Sequence, residues 1–394
     1  MKLFHCDSCG NALFFENVKC LHCGSELAFL PTRMAMAAIE PAPDAQGLWR
    51  RKKRGNKPSS WRYRLCQNNT GQQACNFAIP ESDPNPLCVC CRLTQILPDL
   101  SIEGNRKRWY RIEAAKRRLF YTLARLGLVA VNPSEGERDG PVYQFLADQP
   151  GWQVMTGHAN GVITLNVAEA DDDERVRRRL EMREPYRTLL GHLRHESGHY
   201  FWDGLIRDAG RQEQFRAVFG DEQADYGAAL RAYYASGAPA SWQGNFVSAY
   251  ATAHPWEDWA ETWAHYLHMV DLLETAASYH TRLAVPGTEA DSDAVINPFE
   301  GGQAEFEQLV GQWVPLTLLV NSLNRSLGQD DAYPFALSAA SLNKLRFVHD
   351  LIRSQHPQLG QPAQSGSHSA EEAQQPAAEP MAEAPAPPVT AQAA

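Results

Sequence analysis

The sequence predicts an α+β protein. A cysteine-clustered head of small metal-stapled ribbons precedes a mostly helical domain with a small sheet, and a tail without a core follows. Three observations predict this. All nine cysteines lie before residue 92. Apolar residues recur at helical spacing from Asn105 to about Gly127 and, behind two strand patterns, from residue 180 to about Arg353. Residues 356–394 are Ala, Pro, Gln, Glu and Ser with almost no large apolar side chain, so they cannot bury a core. The expected divisions are a first ribbon over 1–30, a basic linker and second ribbon-like module over 31–100, the helical domain over 101–355, and a disordered tail over 356–394.

In the head, Cys6-x-x-Cys9 and Cys20-x-x-Cys23 form two knuckle-like pairs, each followed by a glycine (Gly10, Gly24). Glycine suits the tight turn that aims backbone amides at thiolate sulfur. Four thiolates at this spacing make a structural zinc ribbon. Cys66, Cys75, Cys88 and Cys91 offer a second four-thiolate zinc site, with Cys90 as the spare thiol. Four thiolates close the zinc shell and leave no position for water, so these sites supply folding energy rather than chemistry.

The net charge of −9 argues against a role in coating nucleic acid. The charge is uneven, however, with eight Lys and Arg and no acid between Arg50 and Arg64. With Trp49 and Trp61 nearby, segment 50–64 is a candidate site for an acidic protein or nucleic-acid partner, or else a solvated linker. The stretch Met1–Cys6 lacks the apolar run of a signal peptide, and no stretch approaches the roughly 20 apolar residues of a membrane span. A cytoplasmic protein without a membrane partner is expected. In that reducing compartment, clustered cysteines are metal ligands rather than disulfides.

Behind the head, Trp109, Ile112, Leu119, Leu123 and Leu126 form the buried stripe of a first long helix. Val142–Leu146 and Gly161–Val167 read as strands. The second is expected at a sheet edge, where it could pair with an extended peptide. Glu169–Glu174 reads as the acidic start of a charged helix.

The chemistry is concentrated in His195-Glu196-Ser197-Gly198-His199. On a helix, positions four apart share a face, so His195 and His199 can present nitrogens to one metal ion while Glu196 reaches a metal-bound water. Gly198 weakens a helix but lets another backbone approach closely. A third ligand is expected in His254-Pro255-Trp256-Glu257-Asp258-Trp259-Ala260-Glu261. There Glu257 would bind the metal, and Glu261, one turn on, would hold the far nitrogen of a liganding imidazole. Glu261 itself, His254, His265 and His268 are the rival third ligands. Tyr250, with His254 as runner-up, is the candidate donor to a developing oxyanion.

These residues resemble the zinc-binding metallopeptidases that carry an N-terminal zinc-ribbon domain. The matching stretches are Cys6-x-x-Cys9-Gly10, Phe15-Glu16-Asn17, Cys20-x-x-Cys23-Gly24, Glu169-Ala170-Asp171, Tyr186-Arg187-Thr188 and Gly191 through Tyr200, and the likeness covers most of residues 1–355. The Glu257 and Glu261 pair is similar to the Glu-zincin pattern, and a zincin-like peptidase fold is what the resemblance implies. The expected activity is zinc-dependent hydrolysis of a peptide or protein, with Glu196 taking the proton of a zinc-activated water. The alternatives are a ribbon module that binds nucleic acid or protein beside an inactive zincin domain, and a zinc hydrolase of non-peptide amides.

Overall fold

The computed structural model describes residues 1–52, 60–132, 140–182, 188–284, 293–300 and 304–355, with only the backbone at 178–182. The tail over 356–394 lies outside the described residues. So do Lys53, Arg54 and Lys57 of the basic segment, and Tyr186 and Arg187 of the family motif.

The head is built on β-hairpins. Strands β1 (Phe4–His5) and β2 (Ala12–Leu13) form the first. An antiparallel sheet then runs in order through β3 (Glu26–Leu30), β4 (Ala35–Pro41), β5 (Trp49–Arg51), β6 (Arg62–Leu65) and β7 (Ala78–Pro80), with a short turn of helix, α1 (Gln67–Thr70), before β7. Strand β3 alternates as a two-faced strand must. Leu27 and Phe29 enter the main core, while Ala28 and Leu30 enter a smaller cluster with Ile39 and Tyr63. The boundary expected at residue 30 therefore falls inside the β3–β4 hairpin. The backbone of β3 needs β4 to satisfy it, and one sheet carries both ribbons.

Helix α2 (Asn105–Arg125) buries Trp109, Ile112, Leu119 and Leu123 as its stripe predicts. It also ties the head to the rest of the chain. Phe15, Phe29 and Phe77 pack on one another, and Phe15 and Phe77 reach Tyr121 and Phe120 of α2 at centroid distances of 5.6 and 6.0 Å. Such aromatic contacts are worth about 0.5–1.5 kcal/mol each beyond the area they bury. Tyr121 then donates to Glu274 at 2.6 Å, and Thr122 to Asp271 at 2.6 Å.

A second sheet contains β8 (Thr94–Ile96), β9 (Val142–Leu146), β10 (Gly157–Ala159) and β11 (Val162–Asn166), in the order β10-β11-β9-β8. Here an expectation is corrected. Strand β11 is interior, paired parallel to β9 and antiparallel to β10, and the edge belongs to β10. The three-residue β10 carries too little apolar alternation to be read from sequence.

The rest of the described chain is mainly helical: α3 (Asp172–Met182), with three acids in its first turn, then α4 (Leu189–Trp202), α5 (Gln212–Phe219), α6 (Tyr226–Ser236), α7 (Pro255–Ser278), α8 (Phe306–Ser326) and α9 (Ala339–Gln355), with an antiparallel strand pair, Arg282–Leu283 and Asp293–Ala294, between α7 and α8. Thr188 caps α4 by accepting from Gly191 N at 2.9 Å. Pro255 opens α7 behind the His254 cap. Helices α4 and α7 cross at Gly198. A Cβ there would lie 3.0 Å from Ala260 Cα and 3.1 Å from Trp263 Cδ1. Trp259 Nε1–H donates to Gly198 O at 2.8 Å, and Trp263 Nε1–H to Ser197 Oγ at 3.1 Å. Among the described residues, no helix is long and apolar enough to cross a membrane.

Two predictions follow from this packing. Gly198→Ala gains about 1 kcal/mol of helix propensity, but it presses on a backbone that cannot yield, at a typical cost of ~1–3 kcal/mol. The melting temperature of the zinc-loaded chain should fall, and an unchanged or higher value would contradict the close crossing. Burial also lowers His265 and His349 from 6.5 to about 4. Protons then bind the unfolded chain first, so this stability is present above pH 6.5 and is lost as pH falls towards 4. Thermal melts between pH 7 and 4.5 should show the decline, and it should be shallower in His349→Gln.

Candidate metal centre and active-site cleft

The crossing of α4 and α7 puts three donors at one point. His195 Nε2 lies 3.2 Å from His199 Nε2 and 2.9 Å from Glu257 Oε2, and His199 Nε2 lies 3.5 Å from the same oxygen. A tetrahedral zinc with bonds of about 2.0–2.2 Å separates its N and O ligands by about 3.3–3.5 Å. The three donors converge closely enough to share a metal, with His195 and Glu257 nearer to each other than that separation.

The bonding around the trio supports the same conclusion. Glu261 Oε1 sits 2.6 Å from His195 Nδ1, and Ser248 Oγ donates to Glu261 Oε2 at 2.6 Å. A proton held on Nδ1 by Glu261 leaves Nε2 as a lone pair facing the lone pairs of Glu257. Glu257 Oε2 is buried with no hydrogen-bond donor among the described residues. Acceptors facing one another in a buried site repel unless a cation joins them. The set offers three protein donors, where each thiolate set offers four.

Other residues hold this arrangement. Tyr226 Oη donates to Glu257 Oε1 at 2.5 Å, leaving Oε2 to face the histidines. Trp256 covers the His199 ring at a centroid distance of 3.9 Å. The rival ligands are engaged elsewhere. His254 Nδ1 accepts from Trp256 N, and its Nε2 faces Ala224 O. His265 Nδ1 bonds the Tyr333 hydroxyl, and His268 packs on Trp313 and Tyr333.

Glu196 sits beside the trio, 4% exposed. Its Oε1 lies 3.3 Å from His192 Nε2, and its Oε2 has no partner among the described residues. Burial works against its charge, but the His192 contact helps to hold its carboxyl below the usual range. Burial likewise opposes ionisation of Glu257 and Glu261. Without a metal, imidazolium rings at His199 and His195 would hold Glu257 well down, and the His195 contact would hold Glu261 down; a cation shared by the three donors does the same with neutral imidazoles. Three carboxylates thus surround the two imidazoles.

Tyr250 lines the same cleft, with its ring 5.9 Å from that of His195. Burial and the charge of Glu257 raise its phenol, so it remains an O–H donor. The cleft has a volume of about 300 Å³, and Gly157 and His158 of the edge strand β10 form part of its wall. Burial lowers His158 to about 4.

The thiolate sets also come together. Cys6 and Cys23, Cys9 and Cys20, and Cys75 and Cys88 each have sulfurs 3.7 Å apart. Zinc–sulfur bonds of about 2.3 Å in a tetrahedron predict about 3.8 Å. Gly10 and Gly24 take positive φ in the knuckle turns. Amides of Cys88, Phe77 and Cys91 point at the sulfurs of Cys66, Cys75 and Cys88. Cys90 is buried outside the second set.

The basic segment is different from what its composition suggests. Arg50 pairs with Glu40, Arg51 with Asp7, and Arg62 with Asp44, while Arg64 Nη2 donates to Asp83 O. Its described arginines are matched within the head, so the nucleic-acid or acidic-protein partner expected there has no support. The acids that match them lie earlier in the chain or beyond the run, where composition of the run cannot show them.

Residues 105–351 match the family described as "Putative zinc-binding metallo-peptidase", and residues 3–102 match a zinc-ribbon domain. The chain belongs to this metallo-peptidase family. Zinc is its metal, with two four-cysteine sets and one histidine–glutamate set to hold it. Two relatives, from Mycobacterium tuberculosis and Mycobacterium bovis, are each 42% identical over 366 residues, covering 93% of this chain and 99% of theirs. Both are described only as uncharacterized proteins. No solved structure matches the chain.

The sequence reading gave no site role to His192, Glu169, Tyr226, His158 or Ser248. For His192 a signal existed, because it stands one turn before Glu196 on the same helix. The others arrive from distant elements and leave no spacing to read.

Metal analysis checks the site. The purified chain should hold three zinc ions, one for each donor set, and His195→Ala should hold two. Equal stoichiometry in both would remove the third centre.

Proposed function

We propose that the chain is a zinc-dependent peptidase in which His195, His199 and Glu257 hold the catalytic zinc and Glu196 is the general base. The two thiolate sets, Cys6, Cys9, Cys20 and Cys23, and Cys66, Cys75, Cys88 and Cys91, hold the structural zincs. The observation that carries this reading is Glu196, a buried, ionised carboxylate with one unpartnered oxygen beside three converging metal donors.

When bound, zinc supplies Lewis acidity that acidifies a water and polarises a carbonyl. Glu196 accepts the proton of the attacking water and passes it to the nitrogen of the leaving amine as the C–N bond breaks. Glu261, itself held by Ser248, keeps the His195 proton on Nδ1 and its lone pair on Nε2. Tyr226 restrains the far oxygen of Glu257. Tyr250, still protonated, is the donor to the oxyanion as negative charge develops. His254 caps α7 by accepting from Trp256 N, which favours Tyr250 over it for that role.

The cleft suits a peptide. Its wall includes the edge strand β10, along which an extended chain can pair by backbone hydrogen bonds. Tyr233, Tyr234, Trp256, Tyr333 and Phe335 give aromatic contact surface for side chains. Glu196→Gln should keep three zincs and lower kcat on fluorescein-labelled casein about 10²–10⁴-fold. A variant as active as wild type would remove Glu196 as the base, and a wild type inactive on casein and on a mixed peptide library would remove the peptidase.

A further inference from the structure

Glu196 is half tethered. Its Oε1 faces His192 Nε2, and its Oε2 has no partner among the described residues. His192 is held in turn. Its Nδ1 lies 2.6 Å from Glu169 Oε2, and Thr156 Oγ1 donates to Glu169 Oε1 at 2.7 Å. Thr156 Oγ1 also accepts from Asn166 N at 3.0 Å, at the end of β11. Glu169 is 1% exposed and Glu196 4% exposed. This line starts at half-buried Thr156, immediately before β10, passes through buried Glu169 and half-buried His192, and ends at the buried base.

We infer that His192, braced by Glu169 and Thr156, is a positioning residue that fixes Glu196 Oε1 and leaves Oε2 as the oxygen that moves the proton. A glutamate has three side-chain torsions, and a free one samples several rotamers. Anchoring one carboxylate oxygen selects one rotamer and aims the other oxygen. The helix makes the anchor available, because His192 and Glu196 are four apart on α4 and share a face. Helix spacing alone does not orient the imidazole. Glu169 does that, from the 3-10 turn Val167–Ala170 that follows β11. The edge strand where a peptide would lie and the oxygen that takes the proton are therefore set by one hydrogen-bonded line. Misplacing a catalytic group by about 1 Å costs on the order of 10²-fold in rate.

This inference rests on Glu196 being the base, and the test separates the two. The zinc-loaded full chain is assayed on fluorescein-labelled casein. His192→Phe should lower kcat about 10–100-fold, with KM and the zinc content unchanged. His192→Gln, which keeps an amide donor near the Nε2 position, should recover much of the loss. Glu169→Leu should be impaired, and Glu169→Gln, which keeps an acceptor for Nδ1–H, much less so. In a Glu196→Gln background, His192→Phe should add no further loss. Wild-type kcat in His192→Phe, or the same fold-loss in the Glu196→Gln background, would overturn the inference while leaving the base in place.

A second measurement does not depend on substrate. In crystal structures of the zinc-loaded chain, the Glu196 carboxylate should occupy one position in wild type and a displaced or split position in His192→Phe. An unmoved carboxylate overturns the inference even if casein is not the substrate.

Discussion

The close crossing of α4 and α7 at Gly198 is the constraint on which the site depends. With no side chain at 198, the Ala260 backbone comes near enough for Trp259 to bond the Gly198 carbonyl and Trp263 to bond Ser197. At that separation, His195 and His199 on one helix meet Glu257 and Glu261 on the other. Zinc bond lengths vary by only a few tenths of an ångström, so a crossing wider by one methyl group would pull the carboxylate off the metal position. The costly glycine inside a helix is thus explained by the neighbour it admits.

The crossing is supported from outside as well. Asp271 and Glu274, further along α7, receive Thr122 and Tyr121 of α2, and Arg194 of α4 pairs with Asp271. Helix α2 carries the aromatic cluster shared with the head. The thiolate sites and the open site therefore stand on one continuous core. The thiolate sets secure the hairpins of the head, while the histidine–glutamate set lies between the long helices α4 and α7.

The long periodic elements were legible in the sequence. The α2 stripe, the α4 and α7 helices, both cysteine sets and the Glu257–Glu261 spacing all rest on patterns that one helix or one turn enforces. Less local features were not. The strand expected at the sheet edge proved interior, because a three-residue β10 outside it is too short to show a period. The division expected near residue 30 falls within the β3–β4 hairpin, and strand pairing leaves no mark in composition. The partners of Glu257 and Glu196, Tyr226 and His192, differ in the same way. One comes from another helix, and the other shares its helix but takes its role from Glu169.

Charge shows most clearly what sequence and structure each contribute. The run from Arg50 to Arg64 is the most conspicuous charge pattern in the chain, yet its described arginines are matched by Glu40, Asp7, Asp44 and a backbone carbonyl. A charge with a partner at hand has little left to offer a ligand. The carboxylates at the α4–α7 crossing look unremarkable in composition, but Glu257 Oε2 and Glu196 Oε2 are buried without donors. Burying such oxygens costs several kcal/mol unless something pairs them. In the proposed reading the first would be matched by a cation, and the second by the proton of a water. Their unmet valence, rather than the abundance of charge elsewhere, is what distinguishes the α4–α7 crossing.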